Sequence, residues 1–77
     1  MKIRKNFLEG LEQKVYIYEN KKDEFILIAV PDIRWSYSFT YDEDNIQTKL
    51  LESLQERVSK ESAETLSSRI VQWTREM

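Results

Sequence analysis

Nine residues, Ile33-Arg34-Trp35-Ser36-Tyr37-Ser38-Phe39-Thr40-Tyr41, constrain the fold of this chain more than any others. Large apolar or aromatic side chains hold every odd position, and Arg, Ser, Ser and Thr hold every even one. Successive side chains of a strand point to opposite faces, so the stretch predicts one strand with an apolar side and a polar side. A helix would scatter the same residues around its axis.

Two further strands precede it. Gln13–Glu19 is rich in β-branched and aromatic residues, which suit a pleated, half-buried surface. Glu24–Val30 is apolar at both parities, as expected of a strand covered on both faces. Asn20-Lys21-Lys22-Asp23 reads as the polar turn between them, and Pro31-Asp32 as the break before the third strand. Three strands joined by short turns predict an antiparallel meander. With an even number of residues in each turn, Ile17 falls opposite Ile26, Ile28 opposite Trp35, and Ile26 opposite Tyr37. One face then carries Val15, Ile17, Ile26, Ile28, Val30, Ile33, Trp35, Tyr37 and Phe39. The other carries Tyr16, Tyr18, Phe25, Leu27 and Ala29 beside Arg34, Ser36, Ser38 and Thr40. An odd turn would exchange the faces of one strand and mix polar with apolar. Pro31 bears on the turn type, because its fixed φ does not fit the first site of mirror-image hairpin turns; a wider four-residue turn is expected to keep the same pairing.

Residues 1–12 support two readings. Ile3, Phe7, Leu8 and Leu11 fit a short amphipathic helix, whereas Ile3 and its basic neighbours fit an edge strand. Downstream, Thr40 with Glu43, or Asp42, is placed to cap a first helix, and the acids there suit its positive end, as Arg57 and Lys60 suit its far end. Ile46, Leu50, Leu51, Leu54 and Val58 form that helix's apolar stripe. A second stripe, Ala63, Leu66, Ile70, Trp73 and Met77, lies roughly 140° away if the helix is continued straight. One straight helix cannot bury both stripes against one sheet. The chain is therefore expected to break near Ser59-Lys60-Glu61-Ser62, with Ser62 as the second N-cap. The predicted fold is a single small α+β domain over residues 1–77: a three- or four-stranded antiparallel meander with two C-terminal helices packed on one face.

Function is bounded mainly by what the residues exclude. With neither cysteine nor histidine among 77 residues, disulfides, common zinc sites and histidine-based nucleophilic triads are all excluded. Gly10 alone cannot make a glycine-rich phosphate loop. The run Asp42-Glu43-Asp44-Asn45 lacks the glycine and terminal glutamate of a calcium loop and reads as helix capping. No catalytic, cofactor-binding or metal-ligating residue is assigned, and the expectation is a non-enzymatic protein. Twelve basic and fourteen acidic residues are intermixed to a net charge of −2, which does not present the basic face that nucleic acid demands. Base stacking on Trp35, Tyr37 and Phe39, helped by Lys2/Arg4/Lys5 and Lys21/Lys22, is the alternative reading. Neither a signal-type apolar segment nor a run long enough to span a bilayer is present, the longest being Phe25–Pro31. The chain reads as cytoplasmic with no membrane partner.

A domain this short has a small core and usually needs a staple or a partner chain. Tyr16, Tyr18, Phe25 and Leu27 form a surplus apolar group on the second sheet face that the two helices cannot also cover. Such groups mark interaction surfaces, and tyrosine suits them, being apolar with a polar tip. The competing expectation is that residues 1–12 fold over this face. The candidate partner is accordingly a second copy of the chain in a homodimer, or another protein.

The runs Val15-Tyr16-Ile17-Tyr18-Glu19-Asn20-Lys21-Lys22 and Pro31–Phe39, with Trp-Ser-Tyr-x-Phe at Trp35–Phe39 and a closing Arg69-Ile70-Val71-Gln72-Trp73, resemble the YueH-like family of small bacterial proteins. That resemblance implies a short, stand-alone cytoplasmic bacterial protein of uncharacterised function, and carries over no site residues.

Overall fold

The computed structural model describes residues 1–8 and 10–76. The chain forms two compact units, Met1–Glu43 and Asp44–Met77. The first is a four-stranded antiparallel sheet of strands β1 (Lys2–Leu8), β2 (Leu11–Asn20), β3 (Phe25–Val30) and β4 (Trp35–Thr40), arranged in chain order. The second holds helices α1 (Ile46–Leu54) and α2 (Lys60–Arg75). The class is α+β, with the meander four-stranded.

The alternation that predicts the faces holds throughout β2, β3 and β4. Val15, Ile17, Ile26, Ile28, Val30, Trp35 and Phe39 are all buried, while Tyr37 and Ile33 are half-buried. Trp35 and Tyr37 share that face and lie nearly parallel, with ring centroids 6.3 Å apart. Their burial assigns the Trp35–Phe39 rings to packing.

Register differs from expectation by two at both hairpins: the first loop lies one residue further on than Asn20–Asp23, and the four-residue turn at Pro31 does not keep the expected pairing. Ile17 pairs with Ile28, not Ile26, and Ile28 pairs with Tyr37, not Trp35; Ile26 pairs with Phe39. Both hairpins close through four-residue loops, Lys21–Glu24 and Pro31–Arg34, and a shift of two returns every side chain to the same face. The second loop turns through a short 3₁₀ segment, Pro31–Ile33, in which the Arg34 N–H donates to the Pro31 carbonyl at 3.0 Å. Each loop ends in a left-handed residue, Glu24 at φ 56° and Arg34 at φ 51°. The first loop is held by Asn20, whose side-chain oxygen accepts from the Asp23 N–H at 2.9 Å.

The N-terminal ambiguity resolves as a strand. β1 pairs along β2, Lys2 with Ile17 through Leu8 with Leu11, so residues 2–8 extend the sheet sideways. They do not fold over its second face. On the buried side, β1 brings polar groups: Asn6 is fully buried opposite a buried Gln13.

In the helical unit Leu50 and Leu54 of α1 and Ala63, Leu66 and Ile70 of α2 are buried, matching the two stripes; Met77 lies outside the described residues, as do Glu9 and the side chain of Leu8. The break between the stripes is present at residues 55–59. The caps differ from expectation. Helix α1 begins only at Ile46, behind a left-handed Asn45 that makes no side-chain cap bond, and its first turn holds no acid. Thr40 instead donates its hydroxyl to Asp42 at 2.8 Å, and the Glu43 N–H donates to the Thr40 carbonyl, forming a turn. Neither Arg57 nor Lys60 lies in the last turn of α1. Helix α2 is capped by Ser59, whose hydroxyl oxygen accepts from the Ser62 N–H at 3.2 Å; Ser62 is the donor partner, not the cap. Losing such a cap typically costs about 1 kcal/mol. Ser59→Ala is expected to lower stability by about that amount in urea denaturation, while Ser62→Ala, which leaves the N–H in place, has a smaller effect.

Candidate interaction surface

The exposed sheet face follows from pairing. Antiparallel partners share a face, so Tyr16 stands beside Ala29, Tyr18 beside Leu27 and Phe25 beside Asn20. All four sequence-predicted residues, Tyr16, Tyr18, Phe25 and Leu27, are brought together. Tyr18 and Leu27 are 38% and 37% exposed, and Tyr16 and Phe25 are half-buried by their neighbours. Tyr18 and Phe25 meet edge to face with centroids 6.0 Å apart and planes at 62°. That geometry suits the ring quadrupoles and fixes both rings at small entropic cost.

Strand β1 enlarges the surface beyond the sequence expectation. Ile3 pairs with Tyr16, and Phe7 with Glu12, both on this face and 56% and 62% exposed. The signal was present in the sequence, since Ile3, Lys5 and Phe7 share one parity, but the same residues also fit a helix. Across the sheet, Ser36, Ser38 and Thr40 of β4 face the same way, opposite Ala29, Leu27 and Phe25. The surface thus grades from large apolar groups on β1 and β2 to small polar ones on β4.

Charge lies at one end of it. Lys5 pairs with Lys14 across the strands and approaches Glu12 at 3.9 Å. Both members of that ion pair are well exposed, and exposed pairs contribute little to stability.

At the opposite end of the sheet, where Phe25 pairs with Thr40, Tyr41 reaches Glu19, which pairs with Ile26 and so belongs to the buried-face side, not to this surface. The Tyr41 N–H donates to the Glu24 carbonyl at 3.1 Å and its hydroxyl donates to the Glu19 carboxylate at 2.7 Å. The hydrogen bond to Glu19, with burial and the negative charges of Glu19 and Glu24 adding to it, pushes the Tyr41 phenol up from 10.0 to about 12. A raised folded-state pKa means a contribution present in full below the unfolded value and lost as pH rises through the folded one. The phenol's share of the Tyr41–Glu19 contact is therefore expected to be lost as pH rises from 10 toward 12. In a tyrosinate absorbance titration Glu19→Gln is expected to bring the Tyr41 step down toward 10, identified by its disappearance in Tyr41→Phe. A wild-type Tyr41 step already near 10 would remove the contact.

Among the described residues no three of His, Cys, Asp and Glu are grouped to hold a metal ion, and no helix is long and apolar enough to cross a membrane. What the surface offers chemically is contact: aromatic and aliphatic area with hydroxyl tips.

Comparison with known proteins gives a consistent result. The YueH-like protein family matches residues 2–76. A curated relative, the uncharacterized protein YueH of Bacillus subtilis (strain 168), is 37% identical over 82 aligned positions that cover all of both chains. No solved structure matches the chain.

Proposed function

The chain belongs to the YueH-like family, and we propose that it is a non-enzymatic protein-interaction module of the cytoplasm that docks its partner on the exposed face of the sheet. The observation that carries this reading is the continuity of the apolar surface. Ile3, Phe7, Tyr16, Tyr18, Phe25 and Leu27 lie on three neighbouring strands of one face, and four of them are among the exposed large hydrophobic residues. Exposing such a group is a cost to a small domain, and contiguous apolar patches of this kind mark binding surfaces. The mixture of aromatic rings with a polar rim is the usual anatomy of an interface.

Tyr18→Lys tests it. Lysine at a site 38% exposed can keep its stem on the sheet and its charge in water, so the far-ultraviolet circular dichroism should match wild type. Affinity purification of the tagged protein from its own cells is expected to lose the bound partner in the variant. Equal recovery of the same partner would place the docking surface elsewhere.

Binding of single-stranded nucleic acid is the alternative. Trp35, Tyr37 and Phe39 face the buried side, which leaves base stacking to Tyr16, Tyr18 and Phe25 beside Lys5 and Lys14. A low-salt gel shift at micromolar protein that shows no complex disposes of it.

A further inference from the structure

Resting on the interaction reading above, we propose that the partner on the exposed face is a second copy of the chain, packed sheet to sheet about a two-fold axis that runs along the strands between β2 and β3. Symmetric dimers need a surface that complements itself. This one does so by height. Along one cross-strand row the residues are Ile3, Tyr16, Ala29 and Ser36, and along the next Tyr18, Leu27 and Ser38. In these two rows the β1–β2 half stands high and the β3–β4 half lies low; in the row Asn20, Phe25 and Thr40 the ring is on β3 instead and would lie over the partner's Asn20. Rotation about the stated axis sets the high half of each copy over the low half of the other. Tyr16 then lies over the partner's Ala29, Tyr18 over the partner's Leu27, and Ile3 over the partner's Ser36. Any axis that set Tyr16 on the partner's Tyr16 would stack ridge on ridge and leave both troughs empty.

The area is adequate. With Ile3 and Phe7 more than half exposed, Tyr18 and Leu27 above one-third, and Tyr16 and Phe25 partly open, the apolar side chains offer roughly 500 Å² per copy, taking about 150–250 Å² for a whole aromatic side chain. That is near the upper end of what a monomer leaves open, about 300–600 Å². The rim of Ser36, Ser38, Thr40 and Lys14 brings it toward the roughly 800 Å² per partner of a standard interface. A domain with no cysteine and a small core also has the usual reason to associate.

Light scattering after size exclusion is expected to show a mass rising with concentration from 9.3 kDa toward twice that value. The chain has no cysteine, so introduced thiols report geometry cleanly. Ile3→Cys mixed with Ser36→Cys is expected to cross-link through a short bis-maleimide, while each variant alone does not, because like positions lie on opposite sides of the axis. Leu27→Lys and Ala29→Arg, checked for folding by circular dichroism, are both expected to abolish the dimer; two sites guard against one variant simply unfolding. A mass of 9.3 kDa at every concentration overturns the proposal. So does cross-linking of Ile3→Cys to itself as readily as to Ser36→Cys. If the wild type is monomeric but binds a different protein in a Tyr18-dependent way, the homodimer fails and the interaction reading stands; if it binds nothing, both fail.

Discussion

Trp35→Ala should destabilise the protein by about 3–5 kcal/mol, the usual cost of truncating a buried large aromatic residue. Trp35 is only 6% exposed, opens β4 opposite the fully buried Val30, and stacks on Tyr37 two residues along. Removing the indole takes away transfer free energy and leaves a cavity beside Val30, its partner across the strands, and Tyr37. A domain of this size commands roughly 4–12 kcal/mol in all, at about 0.05–0.15 kcal/mol per residue. The loss is therefore a large part of the total, and urea denaturation followed by fluorescence of the remaining Trp73 reads it directly. Unchanged stability would return Trp35 to the list of exposed, binding-competent rings.

The second large effect is a contrast between neighbours. Ile28→Asp is expected to abolish folding, whereas Leu27→Asp should cost the single chain only about 1 kcal/mol, the scale of strand preference at an open position, beyond the loss of the dimer. Ile28 is fully buried between Ile17 and Tyr37 on the inner face; Leu27, one residue earlier, is 37% exposed between Tyr18 and Ser38. An uncompensated carboxylate at position 28 carries a penalty of several kcal/mol, comparable to the whole stability. Thermal melts of the pair would separate them at once. Similar behaviour of the two variants would mean that the face assignment of β3 is wrong.

Much of the fold was legible because a strand's side chains alternate with a period of two, and parity survives ignorance of the turns. Val15, Ile17, Ile28 and Trp35 are assigned to the buried face whether a hairpin loop has two residues or four. The pairing register is not protected in this way, which is why Ile17 meets Ile28 and not Ile26. Glu24 and Arg34 take left-handed backbone, a conformation that neither residue type announces. Asn45 does tolerate it, and could have been suspected of ending the turn before α1. Thr40, Asp42 and Glu43 carry good capping chemistry yet bond among themselves, since short polar side chains serve turns as readily as helix ends. On the candidate surface, Tyr16, Tyr18, Phe25 and Leu27 were found from parity alone. Ile3 and Phe7 were missed as members because a spacing of four fits a helix as well as alternate sites of a strand.

The two four-residue hairpin loops bear on how related chains can differ in length. Gain or loss of a pair of residues in Lys21–Glu24 or Pro31–Arg34 slides the pairing but leaves Ile28 and Trp35 inward and Leu27 outward. A single inserted or deleted residue, unless taken up by a bulge, would turn an entire strand over and exchange the buried face for the exposed one. Length variation tolerated at these loops is thus expected to come in twos, and odd changes to collect outside the β2–β3–β4 hairpins.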